Sequence, residues 1–245
     1  MASPSVAEHL VEHYGLVGKR CLVTGGSMGI GGAIVEEYAA LGARNAEKLE
    51  ELVSSCKAKG WDVSGVVADV STSQDVLVNN VGTNIRKAPE EYSREDFQKL
   101  IAVNLESAFS LSQMALGPLR AAGGGAIILI SSVAGGPTAM FSGAIYAMTK
   151  AAMNQLVKNL ACDWAKYGIR TVAVAPWYTE TPLVGGLLEN KELVSNIIAR
   201  TPMKRIAQPV EIARVAAFAA SPAAGYLTGQ TIRVDGGYSA MGLYF

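Results

Sequence analysis

Tyr146 and Lys150, in the stretch YAMTK, stand four residues apart, so a helix stacks them on one face. A phenol of ordinary pKa, about 10, is a poor base at neutral pH, but an adjacent lysine ammonium favours the phenolate and lowers that value. Tyr146 then becomes a usable acid or base. Just upstream, the apolar run GAIILIS leads into Ser131 and Ser132. A serine hydroxyl at such a strand end can hydrogen-bond a carbonyl or carbinol oxygen and hold it against the phenol. Capping the strand end is its plainer use.

A second set of residues suits a phosphate. CLVTGGSMGIGGAIVEEY holds Gly25, Gly29 and Gly31 in a T-G-x-x-x-G-x-G spacing, with Ser27 and Ile30 between them, where a strand gives way to a helix. Glycines let the backbone turn tightly and approach a pyrophosphate, which free helical N–H groups and the helix dipole then hold. A strand-to-helix turn that merely needs glycine is the competing reading.

These groups must be positioned by an alternation of elements. Strands are expected at Arg20 to Thr24, Val63 to Ala68, Val76 to Val78, Gly125 to Ser131, Arg170 to Ala175 and Thr231 to Val234. Helices are expected at Gly29 to Leu41, from Asn45 to about Cys56, Arg94 to Leu119, Tyr146 to Lys166 and Pro209 to Ala220. GAIILIS is apolar throughout, as a strand covered on both faces must be. With no internal repeat, the order predicts one α/β domain over residues 1–245, a doubly wound parallel sheet behind an N-terminal arm at 1–15.

Twenty-one basic and 21 acidic residues cancel, so charge suggests neither a nucleic acid nor a membrane partner, and a small molecule is the default ligand. Cys21, Cys56 and Cys162 are far apart in apolar-periodic segments and read as reduced core thiols. His9 and His13 lack further ligands, so no metal is expected. With Glu8 and Glu12 where a signal peptide needs an apolar run, a soluble cytoplasmic protein is expected.

In order and spacing, TGGSMGIG, NNVG, VNLESAF, SSVAG with YAMTK, APWYTETPL and LTGQTIRVDGG resemble the short-chain dehydrogenases/reductases, tropinone-reductase-like members above all. The resemblance implies a Rossmann-like fold and reduction of a ketone by hydride from a nicotinamide cofactor. Tyr146 would exchange the proton on oxygen and Ser132 would polarise that oxygen. Lys150 would also bond the nicotinamide ribose, and Asn104 would hold a water linking Lys150 to solvent. Thr181 would contact the cofactor's carboxamide or phosphates, Asn80 and Gly82 its adenosine side, and Asp69 and Val70 the adenine. Residues 178–202 would form a substrate lid, with Trp177, Tyr178, Leu183 and Leu187 an apolar wall. No basic pair faces this pocket, so an apolar or weakly cationic cyclic ketone is expected. A homodimer or homotetramer is also implied.

The sequence departs from the family pattern at Val81 of NNVG, at Trp177 after Pro176 and in the 14-residue spacing from Ser132 to Tyr146, and it also carries two gaps. Ala43 runs straight into Arg44, where the family has a second strand, and only Val70 to Asp75 link the third and fourth family strands, where a helix normally lies. Six residues reach roughly 20 Å, barely enough to return along a strand. The fold is therefore expected to lack the second strand and that helix. Arg44 resembles the family arginine that binds a 2′-phosphate, which favours NADP(H); an exposed turn arginine is the alternative. A sheet one strand narrower would instead bring Asp69 to the ribose and favour NAD(H). A third outcome is a shortened chain with an impaired cofactor site.

Overall fold

The computed structural model describes residues 13–26, 28–40 and 75–242. The second helix from Asn45, the Val63 to Ala68 strand and the short link before Asp75 lie outside them.

Among the described residues, five strands, β1 (Cys21–Val23), β2 (Asp75–Asn79), β3 (Gly125–Ile130), β4 (Ile169–Pro176) and β5 (Thr231–Val234), form one sheet in chain order. All pairings are parallel, with Val23 opposite Val78, Asn79 opposite Leu129 and Ile130 opposite Val174. Parallel neighbours need crossovers. Helix α1 (Gly29–Ala40) follows β1. Helices α2 (Arg94–Ile101) and α3 (Ser107–Ala121) lead from β2 to β3, and α4 (Ala144–Trp164) leads from β3 to β4. The longest connection carries a short α5 (Gly185–Leu188), α6 (Lys191–Ala199) and α7 (Pro209–Ala220).

Side-chain alternation along the strands splits the core in two. Val76, Val78, Ile128, Ile130, Val172 and Val174 join Ile34 and Tyr38 of α1 and Ile212 and Ala216 of α7 on one face. Leu77, Ile127, Leu129 and Ala173 meet Leu111 of α3 and Met153 and Val157 of α4 on the other. Every residue of β3 is buried, as its unbroken apolar run requires. The helix after β1 thus lies on one face and those after β2 on the other, which opens a crevice beyond the strands' C-terminal ends.

Two contacts fasten α7 in place. The Tyr38 hydroxyl donates to the Ala216 carbonyl at 3.1 Å. The Arg170 guanidinium donates to the carbonyls of Ala219 (2.6 Å), Ala220 (3.2 Å) and Ser221 (3.1 Å), satisfying the helix's free C-terminal acceptors.

Two expectations are corrected. The long helix expected over Arg94 to Leu119 widens into a π-helical turn at Ala102–Glu106 before continuing to Ala121. Cys162 is exposed rather than part of the core, whereas Cys21 is buried; the apolar residues flanking Cys162 turn inward and it does not.

Candidate active site

Gly25 and Gly29 both hold positive φ, 65° and 59°, a region that disfavours side chains. A Cβ on Gly31 would fall 2.1 Å from the Gly25 carbonyl oxygen and 2.5 Å from Asn80 Nδ2, so only glycine fits there. Asn80 ties this turn to the end of β2. Its amide donates to the carbonyls of Thr24 (3.0 Å) and Gly25 (3.3 Å), and the Asn80 and Val81 N–H groups donate to Thr24 Oγ1 (3.0 and 3.2 Å). Helix α1 has no acidic residue in its first turn, so its N-terminal partial positive charge is not offset there. Ile30 packs against the core, and Thr181 lies over the turn, its Cβ 3.5 Å from where a Gly29 Cβ would stand. Ser27, Arg44, Asp69 and Val70 are outside the described residues.

Beyond the end of β3, Ser132 caps a single 3-10 turn, its Oγ accepting from Ala134 N–H at 3.1 Å. It also interacts with the Tyr146 phenol. The turn packs hard on α4: a Cβ on Gly135 would lie 2.4 Å from the Lys150 carbonyl carbon. Ser131 Oγ donates to the Lys150 carbonyl at 3.2 Å, and Asn154 reaches the Gly135 carbonyl at 3.0 Å. These contacts fix the serine-bearing strand end against the helix that carries Tyr146.

Lys150 is buried, its Nζ donating to the Ile130 carbonyl (2.8 Å) and lying 3.6 Å from Met153 Sδ. Burial pushes its pKa down to about 8. Its Nζ is 5.6 Å from the centre of the Tyr146 ring, so the two side chains share one side of α4, as their spacing demands.

The lowered phenol pKa expected for Tyr146 is not found. Burial dominates and raises it, while Ser132 and then the Arg86 charge pull it down. The physical reason is that Lys150 turns its ammonium to the Ile130 carbonyl and faces the ring at a distance. A raised value leaves Tyr146 protonated at neutral pH, the form that donates to a carbonyl.

Asn104 sits fully buried in the π-helical turn, and such widenings often mark functional positions. Its Oδ1 accepts from Thr83 N–H (2.8 Å) and its Nδ2 donates to the Thr83 carbonyl (3.0 Å) and Thr149 Oγ1 (3.2 Å). Gly82 stands between it and the lysine: a Cβ there would be 3.5 Å from both Asn104 Oδ1 and Lys150 Nζ.

The expected substrate wall is partly anchored. Trp177 stacks on Tyr238 (centroids 3.6 Å apart, planes 9°), meets Tyr178 edge-on at 4.8 Å, and donates from Nε1 to Thr201 Oγ1 at 3.0 Å. Leu183 is about half exposed at 49% and Leu187 is half-buried. The segment between Tyr178 and Thr201 holds α5 and α6, with Ile197 turned inward.

Sequence reasoning passed over Arg86, whose charge bears on the phenols of both Tyr146 and Tyr178. The one available signal was its place, a lone arginine in NNVGTNIRK just beyond a strand end, where ligands of open α/β sheets bind.

Residues 25–239 match the family model described as enoyl-(acyl carrier protein) reductase. A tropinone reductase homologue of Arabidopsis thaliana is 46% identical, covering 96% of this chain and 97% of its own. Among solved structures, a gluconate 5-dehydrogenase from Burkholderia cenocepacia, in complex with NADP and tartrate, superposes with a TM-score of 0.82. It is 32% identical and covers 95% of this chain and 100% of its own. A 7α-hydroxysteroid dehydrogenase, complexed with NADH and 7-oxo glycochenodeoxycholic acid, gives 0.77 at 29% identity, over 92% and 96% of the two chains. With its parallel sheet and glycine turn, the chain belongs to the short-chain dehydrogenase/reductase family. It is tropinone-reductase-like and an oxidoreductase. The alignment with the Arabidopsis homologue spans 257 positions against 245 residues here, so the homologue carries residues with no counterpart in this chain.

Proposed function

We propose that the protein is an NADP(H)-dependent enzyme that reduces a small ketone to an alcohol. The observation that carries this reading is the grouping of Ser132, Tyr146 and Lys150 beyond the end of β3, with Lys150 against Gly82, two residues past the Asn80 that ties down the glycine turn. The cradle fits a dinucleotide: Gly31 leaves no room for a side chain, and the first turn of α1 offers N–H groups with no acidic side chain to oppose a phosphate. When bound, the cofactor supplies the hydride.

The chain's own residues do the rest. Gly25, Gly29 and Gly31 admit the phosphates, with Asn80 and Gly82 toward the adenosine and Thr181 over the turn. Ser132 and Tyr146 hold the substrate oxygen, and Tyr146, protonated at neutral pH, donates to it as charge develops. Lys150 keeps a positive charge behind the phenol as its proton leaves, and Asn104 holds the Gly82–Thr83 backbone against Lys150. Trp177, Tyr178, Leu183 and Leu187 would form the apolar wall on which a ring packs. The choice of NADP(H) over NAD(H) rests on Arg44, with NADP bound in the similar Burkholderia enzyme as support. The alternative of an impaired nucleotide-binding paralogue rests on the shortened segments alone, and the described reacting groups give it no support. A homodimer or homotetramer fits the exposed Phe109 of α3 and Met148 of α4.

The test is ketone-dependent oxidation of NADPH and of NADH by the purified chain across a panel of cyclic ketones. Turnover favouring NADPH is expected. Equal or better turnover with NADH would overturn the cofactor choice, and none with either would overturn the reading.

A further inference from the structure

Arg86 lies half-buried in the segment between β2 and α2. Its Nε is buried and makes no hydrogen bond, and among the described residues no carboxylate pairs with the guanidinium. A buried cationic donor without a partner is costly and uncommon. Two more buried atoms make no hydrogen bond: Asn84 Oδ1, two residues earlier in the same segment, and Ser142 Oγ. Asn84 and Ser142 are in contact, Asn84 Nδ2 donating to the Ser142 carbonyl at 2.9 Å.

The wall is rigid. Tyr92 donates to the Ile85 carbonyl at 2.7 Å, and a Cβ on Gly143 would fall 2.2 Å from the Tyr92 hydroxyl. Asn104 clamps Thr83 from below through both its backbone groups. Ser142 is four residues ahead of Tyr146, at the opening of the helix that carries the phenol. A guanidinium donor, a hydroxyl and an amide oxygen are thus left unpartnered in the segment that follows β2 and in the turn that opens the Tyr146 helix. Donors of this kind match a carboxylate, with Asn84 Oδ1 free to accept from a hydroxyl next to it.

We infer that Arg86, with Ser142, forms a carboxylate subsite next to Tyr146, so that the preferred substrate is a ketone bearing a carboxylate. This rests on the carbonyl-reductase reading above and departs from the expectation of a purely apolar or weakly cationic ketone. The influence of Arg86 on both the Tyr146 and Tyr178 phenols agrees with this placement.

The test compares kcat/KM, with NADPH, for a cyclohexanone carrying a carboxylate two ring carbons from the carbonyl and for its methyl ester. The wild-type chain is expected to favour the acid by roughly ten- to a hundredfold, as a charge-assisted hydrogen bond allows. In Arg86→Gln the acid-to-ester ratio should collapse toward one, and in Arg86→Lys part of it should return. An ester used as well as the acid by the wild-type chain overturns the inference, whether or not the variants fold. So does a ratio unchanged in Arg86→Gln. Turnover of neither compound, nor of any ketone in the panel, would instead strike the carbonyl-reductase reading itself.

Discussion

Lys150 is the residue whose energetics and chemistry pull apart most clearly. Its ammonium is buried against one carbonyl and one sulfur, and burial depresses its pKa from 10.5 to about 8. Below about pH 8 both folded and unfolded chains carry the charge, so the full desolvation penalty is present. Between about 8 and 10.5 the folded state releases its proton first, and the penalty fades as pH rises. At roughly 1.4 kcal/mol per pKa unit the penalty is on the order of 3 kcal/mol, offset by about 1 from the bond to Ile130. Lys150→Met is therefore expected to lose reductase activity yet melt at the same or a higher temperature at pH 7. Its advantage should shrink as pH rises toward 10. A variant clearly less stable at pH 7 would show that the lysine's contacts outweigh its burial. If Tyr146, held protonated, is the acid we propose, alcohol oxidation should climb with pH while ketone reduction should not need alkali.

Asn104 acts through the element that carries it. A regular helix would not place Asn104 as the extra residue of the Ala102–Glu106 turn does, with its amide holding Thr83 by both backbone groups. Asn104→Ala removes three bonds and leaves Thr83 polar atoms unmatched, a loss of about 1–3 kcal/mol. Denaturant unfolding should show that loss, together with a lower kcat/KM from a loosened segment bearing Gly82 and Arg86. Unchanged stability would mean that water replaces the amide without cost. This widening could not be read from the chain, because one added residue barely disturbs the apolar spacing of REDFQKLIAVNLESAFSL. The strands were easier: GAIILI and IRTVAVAP are buried along almost their whole length, and burial on both faces writes itself as a continuous apolar run.

At the scale of the whole molecule, the parallel order, the glycine turn and the grouping of Ser132, Tyr146 and Lys150 were all legible, because each depends on local spacing beside a strand end. Arg86 was not, since a segment without periodicity gives no sign of which way a side chain faces. Nor was the balance at Tyr146, where burial by distant parts of the chain outweighs a neighbour four residues away. The alignment with the Arabidopsis relative is longer than this chain, and the glycine turn still packs Gly31 against the Gly25 carbonyl and Asn80. Ligand that binds only the folded state stabilises it, by about 2.7 kcal/mol at a concentration a hundred times Kd, and so raises its melting point. Saturating NADPH is accordingly expected to raise the midpoint of a cooperative melt by several degrees. A midpoint unmoved by either NADPH or NADH would indicate that the shortened chain has lost the site.

The reading depends most on the proton that the Tyr146 hydroxyl gives to the substrate oxygen. Single-turnover oxidation of bound NADPH by a saturating ketone, compared between the wild-type chain and Tyr146→Phe at equal cofactor occupancy, measures that contribution. A rate lower by roughly a hundred- to ten-thousandfold in the variant is expected for loss of a general acid. A rate within a few-fold of the wild type would contradict the assignment.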